Sequence, residues 1–142
     1  MTKNEDLWPS DLALETVVTP VSILRTQAKL LGERTQGLLE GEVNTWTQGS
    51  DVYHDLNVVV PALGNYKYRL LRVHHPVTLY PIFVDDEPMP YGHIRMIQPQ
   101  PIVMLGEGGM KDEDAFREWL RRTLAGEETR HILANLYAQA TQ

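Results

Sequence analysis

The residues best equipped for chemistry are the five histidines, His54, His74, His75, His93 and His131. Imidazole changes charge near neutral pH and is the commonest protein ligand for metals. His54 adjoins Asp55, but neighbouring side chains of an extended strand point to opposite faces. The two therefore cannot act as base and orienting carboxylate without a bulge, and a half-exposed strand position is expected for His54. His74 and His75 stand at a strand end before Pro76, where functional residues are often displayed. Two adjacent histidines hold a metal only with ligands from elsewhere, and His93 is the candidate for a third if the strands align. No HExxH pattern and no carboxylate at fixed ligand spacing accompanies them, so neither a metal nor another cofactor is expected.

Three other clusters are weaker. Gly106 to Lys111 (GEGGMK) lies between an apolar stretch and a helix, as a phosphate cradle would. Lys111 is followed by Asp112, however, and not by the Ser or Thr of a P-loop. The carboxylates of Asp112, Glu113 and Asp114 would also repel phosphate from that helix start. Asp85-Asp86-Glu87 lacks the spacing of a calcium loop and reads as a charged turn. The serines, Ser10, Ser22 and Ser50, sit in no nucleophile-elbow pattern. There is no cysteine, which removes disulfides, thiolate zinc sites and a cysteine nucleophile together.

The stretch Tyr66 to Val73 is a different kind of candidate. Simple alternation puts Tyr66, Tyr68, Leu70 and Arg72 on one face and Lys67, Arg69, Leu71 and Val73 on the other. Tyr and Arg are enriched in interface hot spots. Tyr66, Tyr68, Arg72, His74 and His75 are accordingly the expected binding surface. Trp8 and Trp46, each in polar surroundings, hint at further contacts.

These residues need elements to hold them. Thr19-Pro20 is a helix start, with a capping hydroxyl followed by a proline at the first helical position. Val21, Leu24, Ala28, Leu31 and Leu38 then recur at three- and four-residue steps with one longer gap, predicting an amphipathic helix to about Thr35 with Gly37 as its stop. From Leu39 the period becomes two. Strands are predicted over 39–47, 52–60, 66–73 and 77–84, joined by turns at 48–51 and 61–65 and broken at His74-His75-Pro76. Short edge strands are expected at His93–Ile97 and Ile102–Leu105, either side of a proline-rich QPQP. Phe116, Trp119, Leu120 and Leu124, then Ile132, Leu133, Leu136, Tyr137 and Ala140, mark two closing helices divided at Gly126.

The chain of 142 residues is of single-domain size. It reads as one α+β domain over residues 1–142, with 1–11 flexible. An antiparallel β-meander of four to six strands packs with one N-terminal and two C-terminal helices. Leu24, Ala28, Leu31, Leu56, Val58, Phe116, Leu120, Ile132, Leu133 and Leu136 are the expected core. A net charge of −6 disfavours nucleic acid as a partner. No apolar run reaches the length of a membrane span, and the polar start lacks a signal-peptide core. A bacterial-type cytoplasmic location is expected. The functional expectation is a non-enzymatic module that binds another protein or regulates it. Its alternatives are a histidine-based enzyme or ligand-binding domain near His74 and His75, and a self-associating homodimer subunit.

Overall fold

Capping decides where the first helix begins and ends. In the computed structural model, which describes residues 5–12, 14, 17–85 and 109–142, helix α1 spans Pro20–Arg34. The Thr19 hydroxyl accepts the Ser22 amide at 3.2 Å, and the Ser22 hydroxyl accepts the Thr19 amide at 3.1 Å. Each satisfies an amide the helix leaves unpaired. At the other end the Gln36 amide donates to Glu33 and the Gly37 amide to Gly32, with Gln36 and Gly37 at φ 53° and 84°. This is a Schellman ending. It turns the chain directly into the sheet.

Strands β1 (Glu40–Gln48), β2 (Asp51–Val60), β3 (Tyr66–His75) and β4 (Phe83–Val84) form one antiparallel sheet in the order β1-β2-β3-β4. The β1–β2 hairpin closes through Gly49 and Ser50, with Gly49 at φ 63°. Its register sets Val43 against Leu56 and Trp46 against Tyr53. Between β2 and β3 the register slips: Leu56 faces Leu71 but Asn57 faces Arg69. Leu70 is therefore an extra residue in β3, a bulge.

Helices α2 (Glu113–Ala125) and α3 (Glu127–Ala140) follow. Asp112 caps α2 by accepting the Ala115 amide at 2.8 Å. All three described helices cover the same side of the sheet. Ile23, Leu24 and Ala28 of α1 meet Leu56, Leu71, Val73, Phe116 and Leu120, while Leu136 and Ala140 of α3 meet Leu39, Val58 and Val60. The approach of α1 to β1 is close enough to require glycine. A Cβ on Gly41 would lie 2.3 Å from the Ala28 Cα. Among the described residues no helix is long and apolar enough to cross a membrane.

The structure corrects several expectations. Residues 77–84 are not one strand. After His75 the Leu79 amide bonds back to Pro76 at 2.9 Å, Leu79 takes φ 80°, and Tyr80–Pro81 is a cis peptide. Only Phe83 and Val84 pair with β3, opposite His74 and Val73. Ile82 instead bridges Met110, tying the sheet edge to the approach to α2. In α1 the buried stripe includes Ile23, while Val21 and Leu31 are half-buried. Ile132 and Leu133 are likewise half-buried, because α3 leans on the margin of the core rather than its centre. The two short strands expected near His93 and Ile102, and His93 itself, lie outside the described residues.

Leu24→Ala removes a side chain with no exposed surface and is expected to cost about 2–5 kcal/mol in urea unfolding. Leu31→Ala should cost less. Gly41→Ala should destabilise by about 1–3 kcal/mol through overpacking against the α1 backbone.

Candidate functional site

The bulge determines which β3 side chains share a face. Directly opposed residues lie on the same side of a sheet. Leu71, Val73 and His75 thus join Leu56, His54 and Val52 beneath the helices. Beyond the bulge, Tyr68 and Tyr66 oppose Val58 and Val60 on that same side. Tyr68 packs into the α3 cluster, where burial, with Glu128 nearby, pushes its hydroxyl above the usual tyrosine pKa. The other side holds Lys67, Arg69, Arg72 and His74. The expected surface of Tyr66, Tyr68, Arg72, His74 and His75 is therefore divided. Arg72 and His74 face away from the helices, whereas Tyr66, Tyr68 and His75 face toward them. The expected grouping of Tyr66 and Tyr68 with Arg72 fails at Leu70.

On the side away from the three described helices the register lines up one ring from each strand. Trp46, Tyr53, His74 and Phe83 stand in a row, with successive ring centroids 5.4, 4.8 and 5.4 Å apart. Adjacent planes differ by only 18°, 18° and 23°. Rings this near and this parallel overlap face to face, so their edges point outward. Such contacts add roughly 0.5–1.5 kcal/mol per aromatic pair beyond area burial. Arg72 sits beside the row, its guanidinium carbon 4.8 Å from the Trp46 ring centroid. It also grips Asp55 through two bonds of 2.7 and 3.2 Å. His74 Nδ1 lies 3.2 Å from an Asp51 carboxylate oxygen.

The helix-covered side carries a second histidine arrangement. His54 Nε2 and His75 Nε2 are 2.9 Å apart. His75 Nδ1 is 2.7 Å from the Pro76 carbonyl, which can only accept, so that nitrogen carries a proton. His75 Nε2 is then the acceptor and His54 Nε2–H the donor. The remaining His54 Nδ1 accepts from the Thr45 hydroxyl at 2.8 Å. One set of neutral tautomers satisfies every bond in this chain. Both rings are almost wholly buried, which corrects the half-exposed position expected for His54. Burial first, then His75 and Arg25, lowers the His54 pKa to about 4, against the opposing pull of Asp55.

Adjacent in sequence, His74 and His75 do not form one site. The histidines that meet are His54 and His75. Among the described residues no group of three or more His, Asp, Glu or Cys side chains is placed to hold a metal ion. The site also includes residues that sequence reasoning passed over. Tyr53, Phe83, Asp51 and Thr45 carried a signal only through register: once the hairpin turns at Gly49-Ser50, Trp46 must oppose Tyr53 and Thr45 must oppose His54. No family model, no curated protein and no solved structure matches this chain.

The histidine pair has a measurable consequence. The folded state binds a proton at His54 less readily than the unfolded chain, whose histidine titrates near the model-peptide value of about 6.5. No contribution exists above that pH, and stability is lost as the pH falls from there toward about 4. By linkage the loss at pH 4.5 is about 2–3 kcal/mol. Urea unfolding of wild type and His54→Leu at pH 7.5 and 4.5 checks this. The wild type should lose that much more than the variant between the two pH values.

Proposed function

We propose that this protein is a non-enzymatic binding module, regulatory in character, and that it contacts a protein partner through the sheet face turned away from its described helices. The observation carrying this reading is the row Trp46–Tyr53–His74–Phe83 with Arg72 beside it. Aromatic rings and arginine are the side chains most enriched where protein interfaces concentrate their energy. Here they are half-buried and already fixed by one another. Less side-chain freedom remains to be lost on binding, which favours affinity. Asp55 holds the Arg72 guanidinium at 2.7 Å, so the charged group beside the rings is matched.

The geometry argues against a stacked base as the occupant. Single-stranded nucleic acid binds by laying bases on presented ring faces along a basic groove. In this row the faces are turned toward each other and the edges outward, and the chain carries a net charge of −6. Ring edges with alternating polar groups suit the side chains of a folded protein better. A histidine-based reaction would run through His74, whose Nδ1 is oriented by Asp51.

The test is affinity capture from the source cells with the tagged full-length protein, repeated with Trp46→Ala, Phe83→Ala and, as a control on α3, Tyr137→Ala. A partner kept by wild type and Tyr137→Ala but weakened about tenfold or more by loss of either end ring is the expected result. Unchanged thermal midpoints would show that the variants fold. Equal retention by all four proteins would move the contact elsewhere.

A further inference from the structure

A second surface lies on the opposite side of the molecule. Between α1 and the C-terminal helices runs an open groove of about 500 Å³. Its apolar floor includes Leu31, Leu70 and Leu124, and Arg34, Arg117 and Arg121 stand along it. Arg117 and Arg121 pair with Glu113 and Glu118 on their own helix. These are solvent-exposed pairs of the kind worth only about 0–1 kcal/mol, so both guanidiniums can exchange partners at little cost. Arg34 has no carboxylate partner among the described residues.

The same chain carries a segment with the complementary character. Leu7, Trp8 and Leu12 are 82%, 75% and 50% exposed. The carboxylates Glu5 and Asp6 precede Leu7 and Trp8, and Asp11 precedes Leu12. The segment has its own shape: the Trp8 amide donates to the Asp6 carboxylate at 3.1 Å, and the Leu12 amide to the Pro9 carbonyl at 3.1 Å. Exposed scattered apolar side chains are ordinary, but an indole flanked by leucines in one short stretch is the signature of a contact surface. Among the described residues nothing buries these side chains, and none of them fills the groove.

We propose that the Arg-bordered groove binds the acidic–apolar segment Glu5–Leu12 of a second copy of this chain, giving a reciprocal dimer. Trp8 and its leucines enter the apolar floor, and Glu5, Asp6 and Asp11 meet Arg34, Arg117 and Arg121. Each copy supplies one segment and one groove, so the exchange closes on itself and uses up both surfaces. This association does not involve the sheet face that carries Trp46 and His74.

Size-exclusion chromatography with light scattering on the full-length chain, over a range of concentrations, tests it. The wild type should pass from monomer to dimer, with a midpoint that weakens as salt rises. Trp8→Ser, which leaves the groove intact, and Leu30→Glu, a half-exposed groove residue, should each be monomeric at concentrations where wild type is dimeric. Their thermal midpoints should match wild type. Mixing those two variants should restore a one-to-one complex, because one still has a groove and the other a segment. Arg117→Glu with Arg121→Glu should weaken the dimer at least tenfold, and Asp6→Lys with Asp11→Lys on the other copy should recover it. A wild type that stays monomeric, or a Trp8→Ser variant that dimerises as well as wild type, overturns the proposal. So does a monomer whose Trp8 fluorescence shifts on Leu30→Glu, since its segment would occupy its own groove.

Discussion

One inserted residue in β3, Leu70, sets the arrangement on which the rest of this structure depends. Side chains alternate along a strand, so a single extra position reverses every assignment on one side of it. With Leu70 in place, Tyr68 is directed into the helix-covered core at one end of β3 while Val73 and His75 are directed into it at the other. A regular strand would give up one set or the other. The bulge also lets Leu70 itself reach both core clusters. Two sections of the sheet that would otherwise be out of phase share one interior.

The same parity sorts the polar groups at the β3–β4 end. His75 meets His54 in a buried layer where one set of tautomers completes a chain from the Thr45 hydroxyl to the Pro76 carbonyl. One residue away, His74 stands among stacked rings with a carboxylate beside it. Two imidazoles adjacent in sequence thus occupy opposite chemical settings. The first lies beneath the helices with its two ring nitrogens engaged by His54 and the Pro76 carbonyl. The second faces away from the helices beside Asp51.

What could be read from the residues alone follows from how local each signal is. The Thr19-Pro20 start, the Gly49-Ser50 turn and the division at Gly126 depend on a few neighbouring residues, and all appear where their chemistry puts them. The α+β class and an antiparallel sheet followed from the changes in period. The faces of β3 did not, because nothing in YKYRLLRVHH marks Leu70 rather than a neighbour as the unmatched residue. The pair His54–His75 was hidden for the same reason, being separated by 21 positions and joined only through register. The short β4 reflects a competing local preference: Pro76 and Pro81 lack the amide a ladder needs, and the chain turns between them. Trp46 drew notice as a tryptophan among polar residues. Its partners became visible only across the strands.

The seating of Gly41 on Ala28 also bears on how the chain reaches this state. α1 and β1 are consecutive in sequence, and so are the partners in each of the three strand pairings. The loops that must close to assemble the helix and the meander are short, which keeps contact order low in this part of the molecule and its assembly fast for a sheet protein. Docking of α2 and α3 onto α1 and the sheet spans much longer separations. The architecture thus divides into an N-terminal unit built from local contacts and a helical pair joined to it by distant ones, which bury Phe116, Leu120 and Leu136.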